Sequence, residues 1–264
     1  MYQTNWHLED REGKSLNSLE LAGIAEIEES FDNNPGFRHP LWDFLEKGEY
    51  GLSTLREFSL LYYGHVRDFR KYLAGAITVS TSEFLQVSLA AILSEEYGLH
   101  YDQISQRINP SHPDLYRQFM ASIGVSQDEW DSREAIQTAI ENRKKNFALF
   151  QSGLEKEMMG AVIFGMESTT PYRHAKVTTG LKKVESDQRV VIDTTFFSRH
   201  VEDDPRHGQS IVFAIREWLC DTESILSLIE GARVSFDARR DFLDDVLSRI
   251  QKSEIEEVAD EVVE

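Results

Sequence analysis

Apolar side chains recur along this chain with the period of an α-helix. Leu16, Leu19, Leu21, Ile24 and Ile27 mark a first helix that ends before Asn33-Asn-Pro-Gly36. Pro40 opens a short helix in His39-Pro-Leu-Trp-Asp-Phe-Leu45, and Gly48 and Gly51 turn the chain after it. Ser53 then caps a long helix whose stripe is Leu55, Phe58, Leu61, Tyr62, His65, Phe69 and Leu73. The next helix, from about Thr81 to Tyr97, carries Leu85, Leu89, Ile92 and Leu93 and closes at Glu95-Glu96. Asn109-Pro110 belongs to a loop, and Ser111 caps a helix from His112 to Ile123 that Gly124 stops. Residues 126–167 read as helical with a break near Gly153. Further helices are predicted at 171–186, 190–204, 207–230 and 233–252.

These elements divide the chain into an irregular arm (1–15), one helical domain (16–252) and an acidic tail (253–264) that is expected to fray. Six prolines and fifteen glycines provide too little punctuation for an all-β fold of this length, so the predicted class is all-α. Acidic residues outnumber basic ones 46 to 28, a formal charge of −18. That balance argues against nucleic acid and against an anionic membrane surface as partners. Cys220 is the single cysteine, which excludes an intrachain disulfide and cysteine-clustered metal sites and fits a reducing cytoplasm. The amino terminus has no basic-then-apolar leader pattern, and no apolar run reaches membrane-spanning length.

Against this background one stretch stands out chemically. His200, Asp204 and His207 sit at i, i+4 and i+7, one face of a helix that Phe196 and Phe197 mark as buried. Two imidazoles and a carboxylate together suit iron, manganese or zinc. The plainer reading is a solvated face, since Glu202, Asp203 and Arg206 are surface types, and Pro205 predicts a kink there. Glu167 follows six uncharged residues and needs either the N–H groups of the next helix or a metal. Of Glu95 and Glu96 one should face inward, and Glu96 forms an i, i+4 pair with His100.

The ordered series Glu95-Glu-Tyr-Gly98, Ser111-His-Pro-Asp-Leu-Tyr-Arg-Gln-Phe-Met-Ala-Ser-Ile-Gly124, Gly165-Met-Glu167 with Pro171 and Gly180-Leu181, and His200-Val-Glu-Asp-Asp204-Pro-Arg-His207 resembles the heme-oxygenase-like di-iron oxidases and oxygenases. These are relatives of thiaminase II and pyrroloquinoline-quinone synthase, and the likeness runs from about residue 38 to 230. It implies a single-domain seven-helix bundle holding two iron ions, ferrous before they meet O2, on Glu96, His112, Glu167, His200, Asp204 and His207. His112 is chosen over His100 because the family's histidine opens the helix that ends in Ile-Gly. This chain departs from the pattern in a longer connection between Glu96 and His112 and in Pro205.

The resemblance further implies an O2-dependent oxidation of a small amino acid, amine or fatty acid through a peroxo-di-iron(III) species. N-oxygenating relatives add a glutamate from an earlier helix. Val66-Arg-Asp-Phe-Arg70 offers only Asp68, which tips the expectation toward C–H or C–C cleavage. The expected partners are the substrate and O2, with an external electron donor and self-association as a homodimer in addition. A metal-free member of the same fold and a non-catalytic partner-binding bundle are the competing classes. Tyr62, Tyr63 and His65 are read as core, Arg173, His174 and Lys176 as exposed helix-start polarity in preference to an anchor for a substrate carboxylate near Glu167, and Cys220 as a buried inert thiol.

Overall fold

Asn17 sets the first helix: its side chain accepts the N–H groups of Leu19 and Glu20, while the Glu20 carboxylate takes the Asn17 N–H. The computed structural model describes residues 15–99 and 110–261, with the backbone alone for 203–207, 210 and 255–261. Helix α1 spans Ser18–Phe31. Helix α2, Pro40–Lys47, is capped by His39, whose Nδ1 accepts the Leu41 N–H while Nε2 lies 3.1 Å from Asp244. Helix α3 is Leu52–Val79 and α4 is Glu83–Glu96. Helix α5, His112–Ser122, starts at a reciprocal cap between Ser111 and Asp114.

The predicted 126–167 helix is divided. Helices α6 (Gln127–Ser132) and α7 (Gln137–Phe150) are separate, and Gly153 turns the chain at φ 76°. Helix α8, Glu155–Gly160, runs directly into a π-helical segment, Ala161–Glu167. Then follow α9 (Thr170–Gln188), α10 (Thr195–Ala214), a 3₁₀ turn (Arg216–Cys220) and α11 (Thr222–Glu261). Eleven α-helices thus stand among the described residues where seven main ones were expected, and these residues include no strand. The arm at 1–14 lies outside the described residues.

Two predicted breaks do not occur, and each has a physical reason. Helix α10 passes through Pro205 without interruption and ends at Ala214 instead. A proline removes one backbone hydrogen bond, a loss that tertiary packing of α10 on α9 outweighs. Helix α11 passes through Gly231 because that glycine serves a helix crossing. A Cβ on Gly231 would stand 1.7 Å from the Glu157 carbonyl oxygen, and one on Gly160 2.0 Å from that of Leu228. Helices α8 and α11 therefore meet backbone to backbone. The helix also continues to Glu261, nine residues past the predicted end at 252.

Helix α11 lies against α1, α2, α3, α7, α8 and the π segment, while α9 packs on α2 and α10, and α10 on α4, α5 and the π segment. Two apolar clusters result. One gathers α1, the end of α3, α4, α8 and the first half of α11; the other gathers α2, the start of α3, α5, α9 and the second half of α11. Met166 belongs to the first cluster and Tyr62, Val66 and Phe196 to the second, and all four border one cavity where the clusters adjoin. No helix among the described residues is long and apolar enough to cross a membrane.

Candidate metal centre

The site begins with helix ends. Glu96 is the last residue of α4, which stops because Gly98 adopts φ 73° two residues later. His112 is the first residue of α5, held there by the Ser111–Asp114 cap. Both side chains are buried, and His112 Nδ1 lies 2.8 Å from Glu96 Oε1. His200 sits two turns into α10, with Nδ1 2.6 Å from the Phe196 carbonyl. A carbonyl only accepts, so Nδ1 carries the proton and Nε2 is the nitrogen with the lone pair. The His112 and His200 rings are 4.4 Å apart, and ligand atoms of Glu96, His112 and His200 all lie within 4.8 Å of one another.

Glu167 reaches the same cavity from the π segment. The segment shows its register in the Ser168 N–H to Ile163 carbonyl bond, a five-residue step of 2.8 Å. Gly165 lets it lie on α11, since a Cβ there would come within 2.8 Å of Ser235 Cβ, and Arg239 Nη2 donates to the Gly165 carbonyl at 2.9 Å. The cavity has a volume of about 50 Å³ and is bordered by Glu96, His112, Glu167 and His200 together.

Four of the six residues singled out in the sequence are thus brought together. Asp204 and His207 follow His200 at i+4 and i+7 in the unbroken helix α10, and their side chains lie outside the described residues, as does His100. Of the adjacent glutamates it is Glu96 that borders the cavity. Asp68 does not; it is buried in ion pairs with Lys71 at 2.7 Å and Arg143 at 3.1 Å.

Other expectations are corrected here. Arg173 and His174, read as exposed, are 2% and 4% exposed and border the cavity. Packing of α9 on both α2 and α10 buries them. Lys176 instead joins α9 to α2, donating to Asp43 and Glu46 at 2.6 Å each. Tyr62 and His65 are core residues that also line the cavity. Cys220 is exposed rather than buried, because it sits on the 3₁₀ turn. A signal for His174 was available: Thr170 and His174 follow Glu167 at i+3 and i+7.

Burial makes these imidazoles neutral. It lowers His65 to about 3, assisted by the positive charge of Arg173. It also holds His174 well below 6.5, assisted by His200 and Arg173. The donors that converge, imidazoles and carboxylates with no thiolate, form a set that fits iron.

A helical bundle with a buried histidine–glutamate cavity is the class that fold and site define, and solved structures share its architecture. A TenA homologue from Pseudomonas syringae pv. tomato superposes with a TM-score of 0.67 at 13% identity, covering 94% of this chain and 99% of that one. A protein of heme oxygenase-like fold from Shewanella denitrificans gives 0.61 at 17% identity over 88% and 92%. The fold is therefore heme-oxygenase-like. Residues 56–240 match the family of iron-containing redox enzymes, and the chain belongs to that family. Among its relatives is a protein called 4-aminobenzoate synthase from Chlamydia muridarum, 24% identical over 238 residues, which span 89% of this chain and 94% of the relative.

Proposed function

We propose that this oxidoreductase is a non-heme di-iron enzyme that uses O2 to oxidise a small substrate. Glu96, His112, Glu167 and His200 would hold the metals together with Asp204 and His207. The observation that carries the reading is the convergence of the first four, from four separate elements, on one buried cavity. Iron bound there would supply the electrons that reduce O2.

The chain's own contribution is orientation. The Phe196 carbonyl fixes the His200 tautomer so that Nε2 is presented, and the cap at Ser111 fixes where α5 starts and hence where His112 stands. Phe69, Met166 and Phe196 give the cavity apolar walls. His65 and His174, kept neutral by burial, each offer one N–H donor and one lone pair to a bound molecule.

Cleavage of a C–H or C–C bond is favoured over N-oxygenation, because α3 contributes Tyr62, His65, Val66 and Phe69 to the cavity and no carboxylate among the described residues. Partners on this reading are the substrate, O2 and an external electron donor, in the cytoplasm. The name of the chlamydial relatives makes 4-aminobenzoate the first product to assay.

The test is an anaerobic Fe(II) titration. Uptake should saturate near two equivalents per chain, and O2 consumption should then depend on that iron. His200→Ala and Glu167→Ala should each weaken iron binding at least tenfold with helical circular dichroism retained. Unchanged iron content in both variants would remove the assignment.

A further inference from the structure

Three buried histidines have an engaged Nδ1. That of His39 accepts the Leu41 N–H, that of His112 lies 2.8 Å from Glu96, and that of His200 lies 2.6 Å from the Phe196 carbonyl. His174 differs from them. It is 4% exposed, yet its Nδ1 has no hydrogen-bond partner among the described residues. The rings of Phe196 and Phe197 pack on it at 5.4 Å and 5.2 Å, and a phenyl ring offers no conventional donor or acceptor. A buried polar nitrogen left this way is costly unless something else occupies it.

The surroundings of His174 indicate what that is. It borders the cavity with Glu96, His112, Glu167 and His200, and its ring centre lies 4.8 Å from that of His200 at an interplanar angle of 76°. An imidazole nitrogen binds a zinc-sized ion at about 2.1 Å, so two imidazoles at right angles on one ion have ring centres roughly 4.5 Å apart. The His112–His200 separation of 4.4 Å and the His174–His200 separation of 4.8 Å both fit that spacing. His65 does not share it. Its Nδ1 is also without a partner, but its ring neighbours are Tyr62 at 5.1 Å and Phe242 at 6.2 Å. Neutral imidazole is the commonest protein ligand for a metal ion. We infer that His174 is a further nitrogen donor to the metal that His200 binds. The inference rests on the proposed metal centre and adds to it a ligand from α9, a helix that supplies none of the six candidate donors.

Cobalt(II), added without air to the metal-free protein, is the probe, because each imidazole bound to it gives one strongly shifted, solvent-exchangeable N–H resonance in the proton NMR spectrum. The unaltered chain should show four, from His112, His174, His200 and His207, where the six candidate donors alone give three. His174→Ala should lose one resonance and bind Co(II) at least tenfold more weakly. In His174→Gly, free imidazole should restore both the resonance and the affinity, which a ring that merely fills the core would not do. Three resonances in the unaltered chain would overturn the inference whether or not any variant folds. A folded His174→Ala with the full set of resonances and undiminished affinity would overturn it as well. Three resonances with two equivalents of Co(II) bound would remove His174 alone, whereas four with saturation at one equivalent would keep His174 and remove the two-ion centre. No uptake by the unaltered chain would remove both.

Discussion

The two walls that carry metal donors are built differently. Glu96, His112 and His200 come from α4, α5 and α10, where two donors sit at helix ends and the third bonds its own helix. Glu167 is the last residue of the π segment that continues α8, and the crossing of α8 with α11 is made through glycines. A helix end delivers a side chain inward without distortion, because its backbone groups are already free to be capped. The π segment does so by shifting its hydrogen-bond ladder to a five-residue step. The displaced carbonyl of Gly165 is then taken up by Arg239 and by Thr169 Oγ1 at 3.2 Å. The comparison teaches that one wall owes its geometry to local capping and the other to tertiary clamping.

The clamped wall should break most severely. Gly231→Ala forces a methyl against the Glu157 carbonyl, and we expect a loss of about 3 kcal/mol, the upper range for overpacking. For a chain of this size that lowers Tm by roughly 6–12 °C. Gly64→Ala on α3, with nothing within 4 Å of the new methyl, should instead leave Tm level or raise it. Equal melting temperatures for the two variants would remove the contrast between the walls.

The capped wall should respond locally. Ser111→Ala removes the hydroxyl that caps α5 and should cost about 1 kcal/mol. Because His112 is the residue that follows, iron affinity should fall with it, read by the same anaerobic titration. A loss of stability with iron affinity unchanged would show that the cap does not position His112.

The smallest effect lies outside both walls. Glu20 accepts from Arg216 Nε at 2.8 Å and Nη2 at 3.0 Å, and those bonds hold its carboxyl below 4.5. A lowered folded value means that this stabilisation is present above pH 4.5 and is lost as pH falls through the folded value. Glu20→Gln should therefore flatten the fall of stability below pH 4.5 in urea titrations and leave iron uptake at neutral pH alone. An unchanged acid limb would show that the pair contributes nothing.

What could be read in advance follows the same division. Helices α1 to α5 were legible to within a few residues from their stripes, and the Ser111 cap was expected, whereas Ser53 does not cap α3, which starts after Gly51 with no side-chain cap. The residues Glu96, His112, Glu167 and His200 were legible as an ordered motif. Pro205 and Gly231 misled because local rules treat both as breakers, whereas packing on α9 and on α8 decides their place. Arg173 and His174 were read as surface residues because their types usually are. Only the docking of α9 between two other helices puts them inside, and no spacing rule contains that docking.

Helix α11, forty residues and about 60 Å long, is the member that most of the bundle shares. It packs on α1, α2, α3, α7 and α8, so it cannot melt without stripping packing from all five. The order of amide exchange follows from that arrangement. Hydrogens in α4 and α5 should trade with deuterium through partial openings that spare the rest, whereas those at the crossing of α8 and α11 should wait for the whole molecule to unfold. The protein would then loosen beside its donors while its spine keeps them in register.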